Sequence, residues 1–336
     1  MQELTIITNE NIYSDNENFY CDNLDIKTLS EGLSNQFKVH LIGRSSKVHR
    51  SHRINIQNIS VFKSLFEYLN GVNKLSTRER SNLIVSITPF TFCAVLTSFF
   101  KKKPKVYLRS DGYGEYKAIL GPIGKFIFHI MFFIVSKLSN FIACSKEMLH
   151  GKKGSIVFPS QLDDSWFENV KKPSTEEANL IYVGRIKKEK GIFSFLGLIK
   201  EIQANYNFTI VGATKHFKKT DDFKKTIIHE IVTDKKKLID LYDKHNIFIL
   251  PSFTEGHPMA LLESLARARP VIIFDDIKHV AENKKGIFVC KRNKDSLNEK
   301  INYILSNYDN IYKELKNNNL PTYKDFISDI SREIKN

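Results

Sequence analysis

The sequence predicts an α/β protein made of two doubly wound parallel sheets. Short apolar runs rich in β-branched residues alternate with longer helical patterns along the 336 residues, and this alternation is typical of parallel sheets with helices on both faces. The apolar content of 42% and the charged content of 26% are those of a folded globular chain. Since a domain typically takes about 100 to 200 residues, the length allows two domains.

The first half contains five predicted strands. In chain order they are LTIIT (4–8), KVHLIG (38–43), LIVSITP (83–89), KVYLRSDG (105–112) and NFIACS (140–145). Helices are predicted around DIKTLSEGLSNQ, over FTFCAVLTSFF and over a long apolar stretch before the last strand. We therefore expect an N-terminal Rossmann-like domain over residues 1–165.

The second half repeats this order and predicts a C-terminal Rossmann-like domain over residues 166–325. Its strands are NLIYVG (179–184), FTIVG (208–212), IFILPS (247–252) and VIIFD (271–275). Helices are predicted over GIFSFLGLIKEIQ, over DKKKLIDLYDKH and through Leu262. The turn-rich segment 158–177 is the predicted linker, and a last helix over 326–336 is expected to pack back on the first domain.

The formal charge of +14 favours anionic partners such as nucleic acid, an acidic membrane leaflet or a phosphorylated small molecule. Residues 1–165 hold 21 basic and 14 acidic residues, and residues 166–336 hold 30 and 23. Neither half is therefore a basic arm, and no recognition helix, RNA-binding sheet motif or zinc module is recognisable, so we expect no nucleic-acid partner. A lysine-rich proteome would explain the same charge without any function, and this alternative stays open.

Two apolar stretches, 83–100 and 118–138, are close to the roughly 20 mostly apolar residues that a membrane span needs. Polar or helix-breaking residues interrupt them, namely Pro89, Gly121, Pro122, Gly124, Lys125 and His129. Neither is expected to span, and buried helices are one interpretation. The basic run KKKPK (101–105) favours contact with an anionic membrane surface, which predicts a cytoplasmic protein, peripheral on the inner face of the cytoplasmic membrane.

The four cysteines, Cys21, Cys93, Cys144 and Cys290, are far apart and form no CxxC pair. The polar start MQELTIITNEN does not resemble a signal peptide, so a reducing cytosol is expected. A structural zinc site needs Cys and His at short spacings, and the ten histidines supply no such set. We expect no metal held by cysteine.

Two cations follow the strand NLIYVG where a helix begins. Arg185 comes directly after it, Lys190 lies five residues further on, and Gly191 opens the helix. Ligands of doubly wound sheets bind outside the carboxyl ends of the strands, and a helix N-terminus adds its dipole and free N–H groups to the cations. The pattern predicts a diphosphate site, with a solvated basic loop as the alternative.

The stretch PSFTEGHPMALLESLARARPVIIFD (251–275) contains two glutamates with seven residues between them. Glu255 lies in the loop after a strand, beside Gly256, which lets a ligand approach the backbone closely. Pro258 is expected at the first helical position, and Glu263 falls in the first turns, where the dipole keeps it ionised. Ionised carboxylates accept pairs of hydroxyl hydrogens, so this pair beside diphosphate-binding cations predicts a nucleotide-sugar site.

VGRIKKEKG, followed some sixty residues later by PSFTEGHPMALLESLARARPVI, resembles the donor domain of family 4 glycosyltransferases. KLIDLYDKHNIFILPS, which precedes the glutamates, is similar too. The resemblance covers most of residues 179–290, while residues 1–160 match only in the order of strands and helices. It implies the GT-B fold, in which two Rossmann-like doubly wound domains face each other across a cleft.

The resemblance also implies roles for residues. Arg185 and Lys190 would hold the donor diphosphate, Glu263 would hold the ribose hydroxyls, and Glu255 would hold the transferred sugar and stabilise charge at its anomeric centre. The other donor-binding positions that it implies are Gly184, Gly256, His257, Pro258 and Leu262. Such E-x7-E enzymes usually retain the anomeric configuration and need no metal or other cofactor. The nearest approach to a metal-binding Asp-x-Asp triplet is FDD (274–276), which we interpret as a loop.

In the first domain the resemblance points to the loop of YLRSDGYGEYK. Related enzymes often have a His or a His-Asp pair there, and only Asp111 carries over, as an active-site acid. A turn-forming Asp-Gly is the alternative. The family's glycine-rich loop after the first strand is replaced by NENIYSDNENF, which leaves acceptor binding near residues 9–20 open. Thr214 stands where a second glycine is common, and Arg269 stands where glycine usually precedes the proline.

The leading hypothesis is a glycosyltransferase that moves a hexose or similar sugar from a nucleotide-diphosphate sugar to a glycan acceptor. The acceptor is expected to be lipid-linked, in the assembly of a cell-surface polysaccharide or lipopolysaccharide. Two alternatives stay open. One is a GT-B nucleotide-sugar epimerase, and the other is a catalytically silent partner subunit, for which keeping both glutamates and both cations would serve no purpose.

Overall fold

The computed structural model describes residues 1–15, 17–202, 205–214, 217–224, 226–281 and 284–336. The chain forms two compact units. The N-terminal unit consists of Met1–Gln161 together with Tyr323–Asn336, and the C-terminal unit consists of Leu162–Thr322. Each unit has a hydrophobic core of its own and a sheet, which is mostly parallel in the N-terminal unit and fully parallel in the C-terminal unit.

The N-terminal unit is built on a nine-stranded sheet. Its strands are β1 (Gln2–Ser14), β2 (Phe19–Cys21), β3 (Phe37–Ser46), β4 (His52–Ile54), β5 (Asn58–Phe62), β6 (Ser81–Val85), β7 (Lys105–Leu108), β8 (Asn140–Ala143) and β9 (Gly154–Ile156). They lie in the order β4-β2-β1-β6-β7-β8-β9, and β3 pairs with both β1 and β5. The pairs β1–β2 and β2–β4 are antiparallel, and the remaining pairs are parallel.

Four helices connect these strands. They are α1 (Leu24–Leu33), α2 (Leu65–Leu75), α3 (Pro89–Phe99) and α4 (Gly112–Leu138), and a 3₁₀ helix covers Glu147–Leu149. The side-chain oxygens of Asn23, Ser64 and Thr88 accept backbone N–H groups at the starts of α1, α2 and α3. Each cap satisfies a donor that the helix leaves free, so local sequence fixes where these helices begin.

The first strand is longer than the predicted LTIIT. After an irregularity between Ile7 and Asn11, β1 pairs again with β3 up to Tyr13 and turns back into β2. Most of the stretch expected to replace a glycine-rich loop, residues 9–20, is therefore strand; Asn16 lies outside the described residues. The carboxylate of Glu10 accepts the backbone N–H groups of Asp22 and Asn23, which joins this extension to α1.

Helix α4 is broken at Gly121. Its backbone there has φ 65° and ψ −151°, which is not helical, and Pro122 follows. A Cβ on Gly124 would lie 2.0 Å from the carbonyl oxygen of Tyr116, and the ring of Tyr113 packs on Phe128 at 4.8 Å between centroids. The segments 112–120 and 122–138 therefore pack against each other. Among the described residues, α4 is the one helix long and apolar enough to cross a membrane by length and composition.

The C-terminal unit is built on a six-stranded, fully parallel sheet. Its strands are β10 (Ala178–Val183), β11 (Tyr206–Ala213), β12 (Thr226–Glu230), β13 (Ile247–Leu250), β14 (Val271–Phe274) and β15 (Ile287–Cys290). They lie in the order β12-β11-β10-β13-β14-β15. Every residue of β13 and β14 is buried, as expected for central strands covered on both faces.

The helices of this unit are α5 (Ile192–Ile199), α6 (Lys235–Asp243), α7 (Met259–Ala266), α8 (Lys294–Ser306) and α9 (Tyr308–Leu315). Short 3₁₀ helices cover Asp164–Trp166, Lys188–Lys190, Asp221–Phe223 and Asp275–Ala281. The last of these begins directly after β14, so the FDD segment forms the end of a strand and the start of a 3₁₀ turn.

Two arginines are buried in the C-terminal unit. Arg267 and Arg269 are 1% and 0% exposed, and both contact the carboxylate of Asp243 at the end of α6. Their remaining N–H groups donate to backbone carbonyls, including those of Trp166, Glu168, Asn169 and Lys171. Arg267 therefore holds residues 166–169, and Arg269 holds Lys171, by hydrogen bonds to the backbone near the start of the C-terminal unit.

The chain ends in α10 (Tyr323–Lys335), which belongs to the N-terminal unit. The ammonium of Lys105 donates to the carbonyls of Glu333 and Ile334, and the hydroxyl of Ser331 donates to Gln36 at 2.6 Å. Because Phe326, Ile327, Ile330 and Ile334 are all buried, the apolar face of α10 completes the core of this unit.

Candidate active site

The candidate site lies at the carboxyl edge of the sheet in the C-terminal unit. Strands β10, β13, β14 and β15 are neighbours in that order, so the loops that follow them lie side by side. The loop after β10 carries Arg185 and Lys190, and the loop after β13 carries Glu255. This arrangement brings residues that are far apart in sequence to one edge, which is where doubly wound sheets bind ligands.

The predicted diphosphate cation and the predicted sugar-binding carboxylate contact each other. The ammonium of Lys190 donates to Oε1 of Glu255 at 2.7 Å, and the hydroxyl of Ser252 donates to the same oxygen at 2.6 Å. The side chains of Lys190 and Glu255 are 21% and 10% exposed. Partial burial strengthens this ion pair relative to a surface pair, so the carboxylate is held in one place.

Gly191 allows the two loops to pack together. Its φ is 66°, and a Cβ there would lie 1.8 Å from the carbonyl oxygen of Pro251. The backbone N–H of Phe253 donates to the carbonyl of Glu189 at 3.0 Å, which adds a direct hydrogen bond between the loops. The relative position of Lys190 and Glu255 therefore depends on this glycine.

We expect Gly191→Ala to separate the loops and weaken donor binding. The new methyl group meets a backbone atom, and alanine is strained at positive φ, so the chain must move where Lys190 meets Glu255. Affinity for a nucleoside diphosphate should fall at least about tenfold, because a displacement of about 1 Å is costly in a binding site. Calorimetric titration measures this. Gly197→Ala, where a Cβ meets nothing within 4 Å, is the matched control, and equal affinities in the two variants would contradict the expectation.

Arg292 holds the loop of Glu255 from the other side. Its Nη2 donates to the carbonyls of Pro251 and Ser252 at 3.1 and 3.4 Å and to the carboxylate of Asp276 at 2.7 Å. The guanidinium lies 4.3 Å from the ring centroids of both Phe253 and Phe274. Its buried Nη1 has no hydrogen-bond partner among the described residues, and it lies 3.5 Å from where a Cβ on Gly191 would be.

The backbone of Glu255 is also held. Nε2 of His279, in the 3₁₀ helix after β14, lies 2.8 Å from the carbonyl oxygen of Glu255. This geometry fits a ring that donates through Nε2, since a carbonyl can only accept. Together with Ser252 and Arg292, His279 holds this loop through hydrogen bonds from within the protein.

Glu263 lies in the second turn of α7. Its Oε2 accepts from the hydroxyl of Tyr242, a fully buried side chain, at 2.9 Å. Burial, and next the neighbouring charge of Glu263, raises the pKa of Tyr242 well above its usual value, so the tyrosine stays a donor. The predicted contact of Glu263 with a ribose stays a prediction, and the structure shows what orients its carboxylate.

The predicted lining residues lie between β13 and α7. Gly256, His257 and Pro258 are all partly exposed on the loop. Helix α7 begins one residue later than expected, because Pro258 is its N-cap with an extended ψ of 115°. Leu262 is 1% exposed and packs in the core, so the structure places its side chain away from solvent, and its predicted contact with the donor stays untested.

Gly184 and Arg185 form the turn after β10. The side chain of Arg185 is exposed, and its carbonyl accepts from the hydroxyl of Tyr182 at 2.9 Å. A Cβ on Gly212 would lie 2.2 Å from the carbonyl oxygen of Gly184, and the φ of Gly212 is 127°. Gly184 and Gly212 thus let the ends of β10 and β11 approach each other closely next to Arg185.

Asp111 belongs to the N-terminal unit and caps α4. Its side chain accepts the backbone N–H of Tyr113 at 3.1 Å, which is the local role expected of a turn-forming Asp-Gly pair, and its predicted role as an active-site acid stays a prediction. The loop of Asp111 contains no histidine, yet the turn after β8 supplies His150, whose Nε2 lies 4.0 Å from the aspartate Oδ1. Burial lowers the pKa of His150, and the charge of Asp111 opposes this effect.

Sequence reasoning missed Ser252, His279, Arg292 and His150. The signal for His279 and Arg292 was available, because His279 follows β14, the neighbour of β13, and Arg292 follows β15, the next strand in the same parallel sheet. Ser252 lies in the loop after β13 that also carries Glu255. For His150 the corresponding signal is the parallel pairing of β7 with β8, which brings the two following loops together.

Over the described ranges, no group of three or more His, Cys, Asp or Glu side chains could hold a metal ion. Burial raises the pKa of the Cys21, Cys144 and Cys290 thiols to about 12, so these side chains stay protonated at neutral pH. The four cysteines are free.

The fold is GT-B, with two Rossmann-like α/β units. The Anabaena protein Alr3699/HepE, solved in complex with UDP, superimposes with a TM-score of 0.72 over 99% of both chains at 11% sequence identity. The lipopolysaccharide outer core galactosyltransferase WaaB superimposes with a TM-score of 0.65 over 98% of this chain and 99% of that one at 13% identity. At these identities the comparison establishes the fold.

The sequence of the C-terminal unit is similar to known glycosyltransferase sequences. Residues 164–320 match the family model of the glycosyl transferases group 1. A Campylobacter jejuni GalNAc-alpha-(1->4)-GalNAc-alpha-(1->3)-diNAcBac-PP-undecaprenol alpha-1,4-N-acetyl-D-galactosaminyltransferase is 31% identical over 172 residues, 48% of each chain. The chain spans between about a quarter and a half of the length of the curated relatives it matches.

Proposed function

We propose that this protein transfers a sugar, of the hexose type, from a nucleoside-diphosphate sugar to a glycan acceptor, with retention of anomeric configuration and without a metal ion. The observation that carries the proposal is the Lys190–Glu255 ion pair, 2.7 Å long and mostly buried at the N-terminus of α5. It sits in the segment similar to group 1 glycosyl transferases. The assignment to family 4, with Glu255 and Glu263 as its E-x7-E pair, is part of this proposal.

The leaving group is a nucleoside diphosphate, and its developing negative charge needs preorganised donors when no metal is present. Lys190, the exposed Arg185 and the first N–H groups of α5 supply them. The unpaired Nη1 of Arg292 adds a further donor beside Gly191. In the transfer, the bond from the anomeric carbon to the diphosphate oxygen breaks, and its electron pair stays on that oxygen. A bond from the anomeric carbon to the acceptor hydroxyl oxygen forms, and the hydroxyl proton passes to the departing diphosphate.

Positive charge develops at the anomeric centre as this bond breaks. A carboxylate fixed close to the sugar stabilises that charge, and Glu255 is fixed through Ser252, Lys190 and its own carbonyl. Glu263, oriented by Tyr242, is the proposed acceptor for ribose hydroxyls. Gly256, His257 and Pro258 line the proposed sugar pocket, and Asp111 is the proposed acid on the acceptor side.

The proposed acceptor is a lipid-linked saccharide. Support comes from the C. jejuni relatives, whose names specify undecaprenol-linked substrates, and from the net charge of +14, which suits an anionic membrane surface. The corresponding location is the inner face of the cytoplasmic membrane. Assembly of a cell-surface polysaccharide or lipopolysaccharide is the proposed context.

The test incubates the purified protein with a panel of nucleotide sugars and a lipid extract, and measures release of nucleoside diphosphate with and without EDTA. We expect release from one donor only, dependent on the extract and unchanged by EDTA, because protein cations replace the metal. Proton NMR of the product then gives the anomeric configuration. Glu255→Ala should abolish release, whereas Glu201→Gln, an exposed residue just after α5, serves as the matched control.

Each alternative gives a different result. A nucleotide-sugar epimerase converts the donor without extract and without net transfer, and a silent partner subunit binds a donor but releases nothing from it. Loss of release on EDTA treatment, restored by a divalent cation, would contradict the metal-independent mechanism.

A further inference from the structure

Helix α4 carries a second apolar face, which the described part of the chain leaves exposed. Positions spaced by three and four residues lie on one side of a helix, and here that side is exposed. In the segment after the break at Gly121 its members are Ile123 (69%), Phe126 (64%), Ile127 (39%), Ile130 (44%) and Phe133 (50%). We call these five residues the α4 apolar face. Large exposed apolar patches mark interaction sites.

The rest of α4 is fixed in the core. Gly124, Phe128, Met131, Phe132 and Val135 are buried on the other side of the same helix. The helix is thus apolar on two sides, a pattern that in a folded protein calls for apolar surroundings on both. The core of the N-terminal unit covers one side only.

The geometry of α4 suits a helix that lies on a bilayer. The segment 122–138 is about 25 Å long at 1.5 Å per residue, shorter than the hydrocarbon core of about 30 Å. The break at Gly121 turns the preceding segment back onto it, and its buried side holds it to the sheet. An interfacial helix, in contrast, needs only one apolar side in the lipid.

The charges around the α4 apolar face fit an anionic surface. Residues 112–153 contain six lysines against two glutamates. The ammonium groups of Lys137 and Lys152 lie 5.8 and 5.7 Å from the ring centroid of Phe133, and Lys125 is exposed in the middle of the helix. Lysines next to a membrane attract anionic headgroups, each contributing about 1 kcal/mol.

We propose that the α4 apolar face inserts into the headgroup region of an anionic lipid bilayer, with the flanking lysines on lipid phosphates. A second copy of the chain is disfavoured as the occupant, because a two-fold interface places the same patch on itself and would bring these lysines together. This inference rests on the proposed function. Asp111 is the N-cap of α4 and follows β7 in the chain. Docking of α4 would therefore hold the carboxyl end of β7 next to the membrane that carries a lipid-linked acceptor.

The test uses co-sedimentation of the full chain with phosphatidylcholine vesicles, with and without phosphatidylglycerol. We expect binding to the anionic vesicles that weakens as salt rises. Ile123→Ser should weaken binding about tenfold, since it removes one large apolar side chain that the bilayer would bury. The combined I123S, F126S and I130S variant should not bind measurably. Ile227→Ser is the matched control, because Ile227 is 56% exposed on β12 of the other unit.

Circular dichroism establishes that each variant is folded. Equal vesicle binding by the wild type and the combined variant would overturn the proposal. It would also be overturned if the wild type does not bind vesicles but self-associates, and the combined variant does not self-associate. Vesicle binding is measured without any nucleotide sugar. If the protein binds vesicles but transfers no sugar, the membrane-binding surface is supported and the proposed function is contradicted. If it transfers sugar to a soluble saccharide but does not bind vesicles, the proposed function is supported and the membrane-binding surface is contradicted.

Discussion

Asp243→Ala is expected to destabilise the C-terminal unit by about 3–5 kcal/mol, the cost of leaving a buried charge without its partner. The carboxylate of Asp243 accepts from Arg267 Nε at 2.9 Å and Nη2 at 2.6 Å, and from Arg269 Nη2 at 3.1 Å. Without it, two guanidinium groups that are 1% and 0% exposed keep only neutral carbonyl acceptors. Neither arginine can lose its proton to escape the cost.

The single tryptophan reports on this cluster. Trp166 is 3% exposed, and its carbonyl accepts from Arg267 Nη1 at 3.0 Å. A urea titration followed by tryptophan fluorescence therefore measures unfolding where the substitution acts. The midpoint should fall with an unchanged slope, since a loss of stability alone does not alter the surface exposed on unfolding.

Asp240→Ala is the matched control for this prediction. Asp240 lies on α6 one turn before Asp243 and is exposed, so its loss should change the free energy of unfolding by no more than about 0.5 kcal/mol. A loss below about 1 kcal/mol for Asp243→Ala would mean that the backbone carbonyls alone satisfy the two arginines.

The alternation of strands and helices could be predicted because buried parallel strands are continuous apolar runs. The extension of β1 could not, since NENIYS is polar and its pairing with β3 resumes only after an irregularity. The burial of Arg267 and Arg269 was also hidden. The sequence RAR at the end of a helix suggests an exposed segment. The backbone carbonyls that accept hydrogen bonds from the two arginines lie 98 to 101 residues earlier in the chain.

The candidate site was predicted at the level of its residues and not of their contacts. Parallel topology indicates that Lys190 and Glu255 share one edge of the sheet. It does not indicate that they pair with each other, because that contact depends on the close approach at Gly191 and on the hydrogen bonds from Arg292 and His279. These depend on loop conformation, which has no periodic pattern in the sequence.

The contact between Lys190 and Glu255 leads to the second large expected effect. If Lys190 only bound the diphosphate and Glu255 only bound the sugar, their contributions would be independent. In the structure, one carboxylate oxygen accepts from both Lys190 and Ser252, so Lys190 also orients the carboxylate. Groups that act as a unit give strongly non-additive losses.

We expect Glu255→Gln and Lys190→Ala each to lower kcat/KM for transfer by about 10²–10³-fold, the range for removing one preorganised electrostatic group. The double variant should lose little more than the more impaired single variant. A double-mutant cycle on initial rates of nucleoside diphosphate release measures the coupling, which should be about 1 kcal/mol or more for residues in contact. Lys188→Ala, on an exposed neighbour in the same loop, and Glu201→Gln are the controls.

Ser252→Ala separates orientation from charge. It removes the hydrogen bond that a neutral hydroxyl donates to the Glu255 carboxylate and leaves Lys190 in place. We therefore expect a loss of at least about tenfold, the net contribution of one hydrogen bond to a charged group. If the losses of Glu255→Gln and Lys190→Ala multiply fully in the double variant, the ion pair is incidental and the two residues act separately on sugar and diphosphate. If they do not multiply, the pair is one catalytic unit, and Ser252, Arg292 and His279 are the residues that keep it assembled before a donor arrives.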